Sequence, residues 1–211
     1  MAGNPPFQFP DVWHTVSFFS SFLMFIPGLL IIISVTNEYS FKTHRQNVID
    51  GWDRKEFILV KILMTAIIAI ASTLAVFLTA LGFGLYEGVS PFSFEKIELI
   101  GYFFIQALSY TSIALLFSVL FKRSGLSIGF YFLYSLILEN MLAGFLNRYV
   151  DNFGRYLPLE TTDNLIRVPV FKAIVSQLMA SYNTTALLIM SAVYLALYYF
   201  LSMRKFQTDD L

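Results

Sequence analysis

Apolar residues run together long enough to form a membrane-crossing helix five times along the chain. Val12–Val35, Phe57–Tyr86, Leu99–Phe121, Leu126–Leu146 and Thr185–Met203 hold only two charged side chains between them, Lys61 and Glu139. A bilayer core about 30 Å thick needs roughly 20 such residues, because lipid offers no partner for a backbone amide and each must be bonded within its own segment. The second run is longer than one crossing requires, so it is expected to tilt or project, with Gly82 and Gly84 loosening it. Pro27 and Gly28 predict a kink in the first. The expected fold class is all-α: one polytopic transmembrane domain covering 1–211, with about five transmembrane helices.

The polar connectors carry their own patterns. In 36–56, Phe41, Val48 and Trp52 recur at i, i+7 and i+11, which places them on one side of a helix and leaves Lys42, Arg45, Gln46 and Asn47 to the remainder. That spacing predicts a helix lying flat on the membrane face, ended by Gly51 in a left-handed cap. Asp53 with Glu56 is a capping-box pattern for the next helix. In the long segment 147–184, Phe171, Ile174, Val175, Leu178 and Met179 form an apolar stripe after Pro169, predicting an amphipathic or re-entrant helix at the opposite face. Asn183-Thr184-Thr185 matches a glycosylation acceptor but abuts the last apolar run, and is read as fortuitous.

Composition sharpens the class. Of 211 residues, 57% are hydrophobic and 13% charged, about half the charge a soluble domain needs to wet its surface. The net charge is zero, which removes the basic balance of a nucleic-acid binder. The absence of cysteine removes disulfide scaffolds, thiolate metal sites and cysteine nucleophiles. No phosphate-binding Gly-x-x-x-x-Gly-Lys loop and no His-Glu-x-x-His occurs, so the chain is expected to have no enzyme activity and no cofactor of its own. Gly125-Leu126-Ser127-Ile128-Gly129 matches a serine-hydrolase elbow. The two histidines, His14 and His44, are expected in other parts of the fold, so the same residues are read as a Gly-x-x-x-Gly helix-packing motif instead.

Orientation follows from Lys and Arg. One set of connectors holds Lys42, Arg45, Arg54, Lys55, Lys122, Arg123, Arg204 and Lys205, eight basic residues in 33, against five in 61 in the other set. The denser set is expected in the cytoplasm, which puts the N-terminus outside and the C-terminus inside. The first eleven residues contain no Lys or Arg and do not resemble the start of a signal peptide.

Asn37-Glu38-Tyr39-Ser40, Thr43-His44-Arg45-Gln46, Trp52-Asp53-Arg54-Lys55-Glu56-Phe57 and Lys61-Ile62-Leu63 resemble the coupling segment of type-2 ATP-binding-cassette transporter permeases. Phe121-Lys122-Arg123-Ser124-Gly125-Leu126-Ser127 and Tyr156-Leu157-Pro158-Leu159 are similar to that family in the same order. The resemblance implies a permease subunit of an ATP-driven exporter in the plasma membrane, on the pattern of a bacterial inner membrane. It also implies a cytoplasmic ATPase partner that carries the ATP and Mg, and a second permease copy or paralogue. Members usually have six spans and a cytoplasmic N-terminus. The five here would match the second to sixth, and the first is expected to be absent from this chain.

By this resemblance Glu38, Tyr39, Thr43, Arg45, Gln46, Trp52, Arg54 and Glu56 form the surface that meets the ATPase. Membrane lipids are further partners, and Lys61 is expected to snorkel to the interface. Glu139 and Asn140 lie inside the fourth run, where a carboxylate costs on the order of 2.5–3.5 kcal/mol on insertion scales. They are expected either to line the translocation path or to fasten two helices. A non-transporting scaffold is the alternative reading, and an intramembrane hydrolase at Ser127 a remote one.

Overall fold

The computed structural model of the protein describes residues 6–43, 51, 53–87, 90–150, 153–166 and 183–208. No strand occurs among them. The helices are α1 (Asp11–Ser21), α2 (Phe25–Ser40), α3 (Arg54–Glu87), α4 (Glu98–Phe121), α5 (Ser124–Tyr149), the single turn α6 (Glu160–Asp163) and α7 (Thr184–Thr208). Helices α3, α4, α5 and α7 are each long and apolar enough to cross a membrane, and α1 with α2 pass the same test as a pair bent by 45°.

Helix α4 is the axis of the bundle. Within its apolar stretch 72% of residues are buried, against 17% to 28% in α3, α5 and α7. The cause is side-chain size: Ala107, Ser109, Thr111, Ser112, Ala114 and Ser118 are all buried and let α2, α3 and α7 pack against it closely. The hydroxyls of Thr111, Ser112 and Ser118 bond back to their own helix, Thr111 to the Ala107 carbonyl at 2.8 Å, Ser112 to Leu108 at 2.6 Å and Ser118 to Ala114 at 2.7 Å, which satisfies them without water. The Tyr199 hydroxyl lies 2.8 Å from Ser112 Oγ and 3.1 Å from Thr65 Oγ1, joining α7, α4 and α3. On the outside of α3, Leu63, Ile67, Ile70, Leu74 and Leu78 are each more than half exposed. A continuous apolar stripe of that length suits hydrocarbon rather than water.

The structure corrects several expectations of the sequence. The first run breaks at Phe22–Met24, ahead of Pro27, and Pro27 sits buried in the first turn of α2. There its missing N–H would have no intrahelical partner, so the ring is tolerated and the break precedes it. Helix α2 continues beyond Val35 to Ser40 and takes in Glu38 and Tyr39. Gly82 and Gly84 do not loosen α3, which runs unbroken through both; a Cβ on Gly84 would lie 2.5 Å from the Phe9 ring, so close packing explains that glycine. Gly125 and Gly129 meet nothing within 4 Å, whereas Ser127 and Tyr131 of the same helix are buried. The glycine pair therefore mediates no packing within the described residues. Helix α5 contains a π-helical turn, Leu133–Leu138.

Gly51 has a φ of 100°, in the left-handed region, while the helix it was expected to end lies outside the described residues. The Asp53 carboxylate accepts the Lys55 amide at 3.1 Å, capping the start of α3 through its second residue rather than through Glu56. Asn183 is a helix cap, its side-chain oxygen accepting the amides of Thr185 and Ala186 at 3.1 and 3.3 Å.

Gly28 gives a direct test of the packing. A Cβ there would lie 2.1 Å from the hydroxyl oxygen of Tyr131, a fully buried ring with no room to retreat. Gly28→Ala is expected to destabilise the protein by about 1–3 kcal/mol. Gly82→Ala, which meets open space, should be neutral or stabilising by up to about 1 kcal/mol. Thermal unfolding of both variants in the same detergent measures the difference.

Candidate functional site

At the end of the bundle where α2 stops and α3 begins, the last turn of one helix is tied to the first turns of the next. Lys61 does not snorkel outward: it is 7% exposed, forms an ion pair with Glu38, and sits 5.1 Å over the Phe57 ring. Phe57 stacks on Phe206 of α7 at 5.0 Å, Tyr39 lies edge-on to Phe206, and Lys122 of the α4–α5 turn sits over Tyr39. Glu38 and Tyr39 therefore lock four helix ends together rather than projecting from a separate docking helix. The physical reason is the extra helical turn of α2, which brings Glu38 level with Lys61. Thr43 is exposed, its hydroxyl 3.4 Å from the Glu38 carbonyl, and Glu56 is exposed on the first turn of α3. Arg54 is the first residue of α3. Arg45, Gln46 and Trp52, with the interfacial helix read from Phe41, Val48 and Trp52, lie outside the described residues, as do the Arg54 side chain and the apolar stripe Phe171–Met179.

The opposite end holds an acidic cluster built around α6. The chain after α5 turns inward through a short 3-10 turn, Phe153–Tyr156, and Leu159 is 2% exposed. Glu139 on α5, itself 3% exposed, accepts the amides of Leu159 and Glu160 on one oxygen at 2.5 and 3.1 Å. It thereby satisfies two of the donors that a helix start leaves without partners. The Tyr134 hydroxyl also faces this carboxylate. Asp163, at the end of α6, accepts Gln106 Nε2 at 2.8 Å and the Tyr110 hydroxyl at 3.0 Å, both from α4. Ser21 of α1 donates to Gln106 Oε1 at 2.9 Å. Three elements far apart in sequence thus share one hydrogen-bonded chain.

A cavity of about 260 Å³ opens beside this chain, bounded by the α1–α2 break, α4, the π-turn of α5 and α6. Asn140 lines it and donates to the carbonyls of Ser135 and Leu136 at 3.1 and 3.2 Å, groups of the π-turn, a distortion frequent at functional sites. Of the two candidates inside the apolar run, Glu139 fastens two elements and Asn140 faces the cavity.

Asp163, Gln106 and Tyr110 were not singled out by the sequence. Gln106 was visible as the first strongly polar residue of an otherwise apolar run, but its partner lies 57 residues away, in the part of the connector ahead of its apolar stripe. The hydrolase reading of Ser127 gains nothing: its hydroxyl bonds the Phe117 carbonyl at 3.3 Å, and His14 is buried in α1. Among the described residues no cluster of His, Cys, Asp or Glu is arranged to hold a metal ion.

Burial pushes the Asp163 carboxyl up to about 7, despite the hydrogen bonds from Gln106 and Tyr110, with the Glu160 and Glu139 charges adding to the rise. Glu160 is also raised, again chiefly by burial. The titratable groups facing Asp163 are Tyr110 on α4, Tyr131 and Glu139 on α5, and Glu160 on α6. A carboxyl whose folded value exceeds its unfolded one binds more protons when folded, so its stabilisation is complete at low pH and is lost as pH rises. Stability is expected to fall between roughly pH 4 and pH 7. Asp163→Asn should flatten that part of the profile, as followed by melting temperature against pH in detergent. Glu139→Ala, which leaves two inward-facing amides without an acceptor, should cost about 2 kcal/mol or more at any pH in that range.

Residues 4–211 match the model of a family described as a protein of unknown function, DUF2705, and the chain belongs to that family. No curated protein matches it.

Proposed function

We propose that this member of the DUF2705 family is the permease subunit of an ATP-driven exporter. In this reading α1 with α2 forms one bent span and α3, α4, α5 and α7 the other four. The basic end faces the cytoplasm and the acidic cavity the outside, in a plasma membrane of the bacterial inner-membrane kind. ATP and Mg belong to a separate cytoplasmic ATPase subunit, which works on a pair of permease chains.

The observation that carries the reading is the Glu38–Lys61 pair between α2 and α3, together with the Tyr39–Phe206–Phe57 stack. They make the two helices that flank the 41–53 connector a single rigid base. A push on that connector would reach α2 directly, and α2 leads to the break beside the cavity, because packed elements shift as bodies. The fit of that connector to the permease coupling segment supports the same direction. The polar chain from Ser21 to Asp163 lies at the other end of the path, where α1, α4 and α6 would have to move past one another.

The test is affinity purification of tagged protein from native membranes in mild detergent, with mass spectrometry of the companions. A protein bearing a phosphate-binding loop is expected with wild type and lost with Arg45→Glu and Trp52→Ala. Glu38→Gln should retain the companion but lower its ATP hydrolysis response, because the base is weakened while the docking residues are intact. Recovery of no ATPase with wild type would sink the exporter reading in favour of a scaffold.

A further inference from the structure

The cavity at the acidic end restricts what it can hold. Its walls are aromatic. Phe25 meets Tyr110 edge to face at 5.9 Å, Phe18 meets Phe22 edge to face at 5.3 Å, and all four rings line the space. Among the described lining residues its charge is of one sign. Asp163 lines it, Glu139 and Glu160 stand within electrostatic reach of Asp163, and none of the described lining residues is Lys, Arg or His. Ring faces carry partial negative charge, so aromatic walls and a carboxylate favour the same kind of guest, a cation. An anion would be repelled, and a neutral apolar guest would strip water from Asp163 and return nothing for it.

The carboxylate is also held in place for such a role. Gln106 and Tyr110 occupy one site on each oxygen, and each oxygen keeps a further lone pair. Both donors are neutral, so they orient the carboxylate without cancelling its charge. The cavity volume of about 260 Å³ suits an ammonium group with one ring rather than a whole large amphiphile. Phe22, 64% exposed, stands at its rim at the α1–α2 break, where an apolar tail would leave towards the surface that carries the other exposed aliphatic side chains.

We propose that this cavity binds the ammonium head of an amphiphilic organic cation, with Asp163 as counter-ion and Phe18, Phe22, Phe25 and Tyr110 as the surrounding cage. This names a substrate class for the exporter and rests on that reading for the movement that follows, but binding itself requires only this chain.

The full chain in dodecyl maltoside micelles, at pH 8 so that the Asp163 carboxyl is ionised, would be dialysed to equilibrium against phenyltrimethylammonium and, separately, against tert-butylbenzene, its uncharged isostere, with protein-free micelles as the blank. Saturable binding of the ammonium is expected, about tenfold or more tighter than any binding of the isostere, as a desolvated ion pair with cation–π contacts implies. Asp163→Asn, which keeps the shape of the polar chain, should erase the preference for the charged ligand. Phe22→Ala, a rim residue outside the polar chain, should weaken the ammonium several-fold while leaving the melting temperature within a degree or two of wild type. Equal binding of both ligands by wild type, or an unchanged preference in Asp163→Asn, overturns the proposal. Binding of the ammonium is read without any ATPase, so the cation site stands or falls separately from the exporter: cation binding by a chain that recruits no ATPase keeps the site and removes the exporter, and ATPase recruitment without a charge preference does the reverse.

Discussion

Glu139 lies in a helix flanked by apolar side chains, and its carboxylate is held there by the amides of Leu159 and Glu160. An isolated four-residue helix has no stability of its own in any solvent, so α6 owes its place to this contact and to the bonds from Gln106 and Tyr110 to Asp163 at its other end. The requirement at work is general. A polar group taken away from water must find a partner or cost several kcal/mol, and here each of the inward-turning segment's ends finds one on a long helix. Without those pairings the chain between α5 and α7 would have no reason to enter the bundle, and the cavity would have no floor.

The same requirement governs the basic end with opposite chemistry. Lys61 is carried into an apolar run by the helix it belongs to, and the extra turn of α2 supplies Glu38 to meet it. Between the two ends stands α4, whose hydroxyl and alanine surface lets three neighbours approach while its own carbonyls absorb the hydroxyl donors. A charged pair below, a carboxylate chain above and a small-residue axis between them describe a bundle whose two ends are both rigidly indexed to the same central helix.

Several features were legible in advance because they are local. The apolar runs needed only composition and length, and α3, α4, α5 and α7 all appear where those runs fall. Asp53 announced the start of a helix through capping chemistry that acts within a few residues. The errors came from neighbours the sequence does not show. Gly84 reads as a weak point until Phe9 is packed on it, and Gly125 with Gly129 reads as a packing motif although no described residue of this chain packs against either. Pro27 reads as the kink, whereas the backbone yields just ahead of it because a helix accommodates proline in its first turn.

What the sequence determined by itself was the material: apolar runs of membrane-crossing length, one set of connectors richer in Lys and Arg than the other, and two charged residues inside apolar runs that had to be explained. Periodicity, capping and hydropathy act over a few turns of one segment, and each leaves its mark in consecutive residues. Only the tertiary structure decided which partner each polar group takes. Glu38 with Lys61, Glu139 with the start of α6, and Asp163 with Gln106 and Tyr110 are separated by 23, 20 or 21, and 57 or 53 residues. Such pairings are fixed by how helices pack against α4, which depends on shape summed over whole surfaces and leaves no periodic trace in the chain.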